Sequence, residues 1–343
     1  MNSPATHAAV RDTSRPEPPH GSRAELLLAA AVEQRLGASE PLPADDLFAL
    51  AADAYGGTLA EGAFTPRDAY DAAELGLHLH LLRTVGTIPA EPDAARDALA
   101  EVERLSDLLP SQTRRTTEQN DYQQFSTPAA YAGLCAWVSG VGEGMHVLEP
   151  SAGTGALCAF ALATGAEVHA NELCDRRADL LAVLLREAGQ NPETLTRENA
   201  DHLDAILPPA VRADVVTMNP PFSKTAGRLG SRRVLTVGTD HVLQALRRLD
   251  GGGRLVAVLS AGVRRGKPTH RAFFEVVDAG PFRLRADVEV GGAVYRPYGT
   301  SVRTRLLVVD RDRAEAGSTG GRVEAAVETV GEAVGVLAGV KRE

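Results

Sequence analysis

From residue 146 onward the chain alternates short β-rich runs with helical ones, and no other feature limits the fold as much. The runs are MHVLEP, a helix near 155–164, AEVHANE, a helix near 175–188, a short polar turn, DVVTMN, a helix near 240–249, RLVAVLS, a helix near 270–278, and finally FRLRADVEV and TRLLVVD. Strands joined through helices run parallel, so the pattern predicts an α/β fold with a mostly parallel sheet covered on both faces. The last two runs have no long helix between them and are expected to pair as an antiparallel hairpin.

The flanking segments read differently. Residues 1–20 are polar and rich in proline, the composition of a disordered tail. Residues 21–114 hold four helical patterns, SRAELLLAAAVEQRLG, PADDLFALAADAYGG, TPRDAYDAAELGLHLHLLR and PDAARDALAEVERLSDLL, and are expected to form a helical N-terminal domain. The third opens on Thr65, Pro66 and Asp68, a cap residue, a proline at the first helical position and an early acid. His78 and His80 on that helix are two apart, so they do not share a face and make a poor metal pair. Residues 115–312 form the α/β domain, and 313–343 a linker followed by an amphipathic helix with Val323, Val327, Val330, Val334 and Leu337 on one face. That face is suited to docking on the domain or on a partner.

Composition excludes several classes. Cys135, Cys158 and Cys174 are odd in number and form no CxxC pair, which argues against structural zinc and a disulfide framework; no metal is expected. There is no charged-then-apolar leader pattern and no apolar run near the length of a membrane span, so a cytoplasmic protein without membrane contact is expected. The net charge is −9, but residues 1–120 carry 10 Lys+Arg against 19 Asp+Glu, the whole of that excess. Residues 223–271 carry 11 basic residues against Asp240 and Asp250. That segment is either a phosphate-binding face or a solvated arginine-rich surface.

Three short motifs sit at strand ends. In HVLEPSAGTGALC the strand ends at Glu149, and Gly153 and Gly155 permit a tight turn and close ligand approach before a helix. The loop lacks the third glycine of a dinucleotide fingerprint, and without a GK[ST] it is no P-loop. Glu172 follows 17 residues after Gly155 at the end of the next strand, where a carboxylate can accept both hydroxyls of a ribose; otherwise it is a surface acid. Asp201, in ENADHLD, is placed either to accept from an exocyclic amine or to begin a helix.

The strongest motif is Asn219-Pro220-Pro221-Phe222, directly after the strand VVTM. It stands at the carboxyl edge of the sheet, where open α/β folds bind ligands. The lone pair of an aromatic or amide amine is delocalised, which makes it a poor nucleophile. The Asn219 side-chain oxygen and the Pro220 carbonyl, holding its two hydrogens, would favour a pyramidal nitrogen with the pair free. Proline fixes φ near −65° and so holds the carbonyl direction, and Phe222 offers a face for a planar group.

Together these motifs resemble a class I S-adenosylmethionine-dependent methyltransferase, and more narrowly the N6-adenine DNA methyltransferases. The segment Phe125-Ser126-Thr127-Pro128 matches the F-x-T-P element that precedes the glycine loop in that family. The order QFSTP, VLEPSAGTG, NE, NAD, NPPF covers roughly residues 115–310. QQFSTP, EPSAGTG and MNPPFSxTAGRLG are similar to phrases in the methylase halves of phage- and plasmid-borne methylase–helicase proteins. The resemblance implies a Rossmann-like seven-stranded methyltransferase fold with an antiparallel last strand, and S-adenosyl-L-methionine as cofactor. It implies that Phe125, Thr127, Pro128, Glu149, Ser151, Gly153 and Gly155 line the methionine end, Glu172 the ribose and Asp201 the adenine. It further implies that Asn219, Pro220, Pro221 and Phe222 hold the target amine and that Tyr295 or Tyr298 supports a flipped base. DNA is the implied partner, with Lys224, Arg228, Arg232 and Arg233 as candidate backbone contacts, and the N-terminal or C-terminal helices as candidate protein-binding surfaces. Unlike that family, no separate target-recognition domain follows, since about thirty residues remain after Asp310. NPPF also occurs in enzymes that methylate a glutamine side chain or a guanine N2, and a non-catalytic module with this fold is the alternative of another class.

Overall fold

The computed structural model describes residues 23–112, 126–222, 224–226, 232–312 and 321–342, with backbone alone at 224–226 and 232–233. The four helical patterns form α1 (Arg23–Gly37), α2 (Ala44–Tyr55), α3 (Pro66–Thr84) and α4 (Pro92–Asp107). α3 begins as its sequence predicts. The Thr65 hydroxyl accepts from the Asp68 amide, and the Asp68 carboxylate accepts from the Thr65 amide at 2.7 Å. α5 (Ala129–Ser139) leads into the sheet. The expected disordered tail, the boundary at residue 114, Phe125 and Arg228 lie outside the described residues.

The α/β part runs β1 (His146–Glu149), α6 (Ala156–Ala163), β2 (Glu167–Asn171), α7 (Asp175–Glu187), β3 (Leu195–Thr196), α8 (Leu203–Ile206), β4 (Ala213–Met218), a hairpin of β5 (Lys224–Ala226) and β6 (Arg232–Val234), α9 (Val237–Arg248), β7 (Leu249–Ser260), α10 (Arg271–Ala279), β8 (Phe282–Val290) and β9 (Thr304–Arg311). It closes with β10 (Val323–Val327) and α11 (Val330–Leu337). The sheet order is β10-β8-β9-β7-β4-β1-β2-β3. All neighbours are parallel except β9, which is antiparallel to both β7 and β8. This is the Rossmann-like methyltransferase sheet that the sequence predicted, including its antiparallel strand, with one strand more.

The extra strand corrects the expectation for the tail. Residues 323–327 are strand, not helix, and pair in parallel with Ala286–Val290 of β8; the helix begins only at Val330, capped by Thr329. Val323, Val327, Val330, Val334 and Leu337 satisfy a helical period, but β8 offers an open edge, and β-branched residues favour the ladder that this edge supplies.

Both faces of the sheet are covered, which explains its near-continuous apolar strands. Val256, Val258, Leu306 and Val308 join one cluster with α1 to α5 and α11, while Leu255, Ala257, Leu259, Leu307 and Val309 join another with α9 and α10. The N-terminal helices therefore share a core with the sheet. β1 lies between β2 and β4, so the strand order reverses there, and a cleft opens at their carboxyl ends.

Candidate functional site

The cleft at this switch point, counted with the open space at its mouth, spans about 510 Å³. Its walls come from the ends of β1, β2 and β4 and from the segment entering α5. They bring together Thr127, Glu149, Ser151, Gly153, Glu172, Asn219, Pro220 and Pro221, eight of the residues that the sequence singled out.

The glycine loop is held by the two acids. The Ser151 amide donates to Glu149 Oε2 at 2.6 Å, and the Gly153 and Cys174 amides donate to opposite oxygens of Glu172 at 2.8 and 2.9 Å. Gly153 and Gly155 both stand at positive φ, 59° and 104°. Gly155 does not line the cleft; it lets α6 approach α7, since a Cβ there would meet Leu184 Cδ2 at 2.6 Å. Glu149 is fully buried, and burial, reinforced by the neighbouring Glu172, pushes its carboxyl well above the usual range. Among the described residues, its Oε1 and the Ser151 hydroxyl, both buried in the wall, meet no partner at hydrogen-bond geometry. Two orphaned polar atoms beside a glycine turn suit a polar ligand that brings its own donors and acceptors.

Asn219 follows β4 and donates from Nδ2 to Thr127 Oγ1 at 3.0 Å, so the F-x-T-P-like segment and the NPPF motif touch directly. Tyr295 lies fully buried behind, edge-on to Tyr131 at 6.3 Å between centroids. Burial pushes its phenol up, Cys135 adds to this, and the Asn219 amide opposes it.

Several expectations differ from what is found. Tyr295 and half-buried Tyr298 do not line the cleft; Tyr295 is core, and Tyr298 lines neighbouring cavities with Pro297, so neither offers an open stacking face. Phe222 is buried at 7% exposure, outside the lining. Pro128 precedes α5 and faces a different groove. Asp201 is turned away: its Oδ1 meets His241 Nε2 at 2.9 Å, and its amide is capped by Asn199. The helix-start reading of ENAD accounts for that geometry.

The basic segment also divides. Arg247 and Arg248 pair with Asp204, Arg254 with Asp310, Arg264 with Glu289 and Arg265 with Asp278. Arg248 and Arg254 are buried in these pairs, while Arg247, Arg264 and Arg265 are paired at the surface, so residues 223–271 are not one open phosphate-binding face. Lys224, Arg232 and Arg233 lie on the β5–β6 hairpin, immediately after the NPPF motif.

One contribution was not foreseen. α3 presents Asp71, Glu74 and His78 inward. Glu74 Oε2 accepts from Thr154 Oγ1 at 2.6 Å and Ser126 Oγ at 2.9 Å, and Oε1 accepts from Gln112 at 2.6 Å. Arg177, which lines the cleft, donates to Ser126 Oγ at 2.9 Å. His78 Nδ1 meets the Thr154 carbonyl at 3.1 Å and must be the donor there; burial pulls its pKa down to about 4. Burial pushes Glu74 up, and Asp71 adds to it. Asp71 itself is held low, because Arg176, Arg177 and Arg67 outweigh its burial. The helical segment thus buttresses the glycine loop. The only sequence signal was that acids and histidines interrupt a helix otherwise apolar on every face.

Among the described residues no cluster of three or more His, Cys, Asp or Glu could hold a metal ion, and no helix is long and apolar enough to cross a membrane. No family model and no curated protein matches the chain. Solved structures resemble it at low identity. A type I restriction-modification methyltransferase subunit from Streptococcus thermophilus is 16% identical, with a TM-score of 0.48 over 92% of this chain and 74% of that one. A protein ascribed to the class I S-adenosylmethionine-dependent methyltransferases of Listeria monocytogenes is 14% identical, with a TM-score of 0.49 over 90% of each. A modification subunit ascribed to a type I restriction enzyme of Vibrio vulnificus is 18% identical, with a TM-score of 0.45; the chain spans 57% of that protein's length, and 71% of this chain is matched.

Proposed function

We propose that this protein is an S-adenosylmethionine-dependent methyltransferase acting on the N6 amine of adenine in DNA. The observation that carries the reading is the meeting of Asn219 and Pro220 with Thr127, Glu149, Ser151, Gly153 and Glu172 in one cleft at the switch point. The orphaned atoms of Glu149 and Ser151 and the glycine turn fit the cofactor, with Glu172 as the acceptor for ribose hydroxyls. When bound, the cofactor supplies an electrophilic methyl group. The chain's own part is to hold the acceptor: Asn219 Oδ1 and the Pro220 carbonyl take the two amine hydrogens, orient the nitrogen lone pair toward the methyl and disfavour its delocalisation. No side chain of tuned pKa is needed, since the proton leaves after attack.

The F-x-T-P-like contact to Asn219 favours a nucleobase over a glutamine side chain, and the β5–β6 hairpin places basic residues next to the motif. Calorimetry with S-adenosylmethionine tests the cofactor: no binding at millimolar concentration would remove the enzyme reading. Asn219→Ala should leave that binding nearly intact and lower tritiated methyl transfer to DNA by ~100-fold or more, the scale of losing a directed polar contact at the reacting atom. Label in N6-methyladenine supports the reading, whereas label confined to RNA or protein reassigns the substrate.

A further inference from the structure

Asn219 works as an acceptor pair with Pro220 only if its amide has the right face toward the cleft. A half-turn about Cβ–Cγ would exchange Oδ1 for Nδ2 and set an N–H donor against the incoming amine. Two hydroxyl groups meet this amide: the buried Tyr295 phenol behind it, and Thr127, whose Oγ1 is 3.0 Å from Asn219 Nδ2 on the cleft side, within reach of a ligand. Thr127 is 6% exposed and lines the same cleft. A hydroxyl, aliphatic or phenolic, both donates and accepts, so neither group by itself excludes either amide orientation. The Thr127 hydroxyl proton has no acceptor among the described residues.

We propose that Thr127 couples cofactor binding to the orientation of Asn219: a cofactor oxygen takes the hydroxyl proton, leaving Oγ1 able only to accept from Nδ2 and turning Oδ1 to the acceptor amine. The inference rests on the methyltransferase reading and adds an order to it, with the cofactor preparing the catalytic amide before the base arrives. Thr127 is then a positioning residue for Asn219 as well as part of the cofactor wall. The carboxylate of the cofactor's amino-acid portion is the chemical class of acceptor that matches a hydroxyl donor at the methionine end.

The test reads Asn219 directly. In uniformly ¹⁵N-labelled, deuterated protein, the Asn219 side-chain amide pair is identified by its disappearance in Asn219→Ala. Hydrogen exchange at Nδ2 is then followed with and without S-adenosylhomocysteine, which keeps the carboxylate but transfers no methyl group. Saturating S-adenosylhomocysteine should slow exchange by about tenfold, the scale of one net hydrogen bond. Thr127→Ser should retain the slowing, while Thr127→Val and Thr127→Ala, which lose a donor to the carboxylate and are therefore titrated to saturation at higher concentration, should lose it. Equal slowing in the variants lacking the hydroxyl overturns the coupling, as does bound compound without any slowing in the wild type. Failure of S-adenosylhomocysteine to bind the wild type overturns the cofactor reading itself, a different result from the other two.

Discussion

Gly155 stands at φ 104°, where L side chains are strained, and a Cβ there would also meet Leu184 Cδ2 at 2.6 Å and Leu181 Cδ1 at 2.9 Å. Gly189 has a similar backbone, φ 77°, with nothing within 4 Å of a built Cβ. The two separate strain from overpacking. Gly189→Ala should cost about 1 kcal/mol, the left-handed penalty alone. Gly155→Ala should cost about 2–4 kcal/mol, because α6 and α7 must part as well. Urea unfolding of the two variants measures the difference, and equal costs would refute the packing argument. In the sequence Gly155 looked like a ligand contact. A GxG turn announces a backbone need, and only the packed neighbours tell whether that need comes from a ligand or a helix.

At the scale of elements, the joint between α3 and the glycine loop contributes to the acid response. His78 is buried neutral with a folded pKa of about 4 against an ordinary 6.5. Above pH 6.5 neither folded nor unfolded state binds its proton, and the group costs nothing. As the pH falls from 6.5 toward 4 the unfolded state protonates while the folded state does not, so stability is lost over that window. The displacement corresponds to about 3 kcal/mol at most. His78→Gln, which keeps an N–H donor for the Thr154 carbonyl without titrating, should flatten that part of the curve of melting temperature against pH. An unchanged slope would place the acid sensitivity elsewhere. The four helices were legible from their apolar period and from the Thr65 cap. The inward turn of Glu74 and His78 was not, because an isolated helical pattern does not say which other element its polar groups will meet. The tail shows the same limit: five spaced hydrophobics fit a helix, and the open edge of β8 decided that the first two belong to a strand.

For the molecule as a whole, a net charge of −9 opposes a polyanionic partner, so any contact with a duplex must be local. Eleven basic residues between 223 and 271 suggested such a contact from sequence, which counts charges but not their partners. Folding places Arg264 and Arg265 against Glu289 and Asp278, and Arg254 against Asp310, where they hold strands and helices together. The β5–β6 hairpin, next to Asn219, remains the segment best placed to track a strand whose base enters the cleft. If Lys224, Arg232 and Arg233 each neutralise a phosphate, replacing all three with alanine should lower the slope of log affinity against log salt by ~2–3. Arg264→Ala with Arg265→Ala should leave that slope unchanged, because each is already paired with a carboxylate. Fluorescence anisotropy with a duplex oligonucleotide across a salt series reads both. A slope that responds to Arg264 and Arg265 and not to the hairpin would move the nucleic acid to the α10 side of the sheet, away from the switch point. The NPPF motif would then have no strand beside it, and the amine it holds would have to come from a free base, an RNA or a protein.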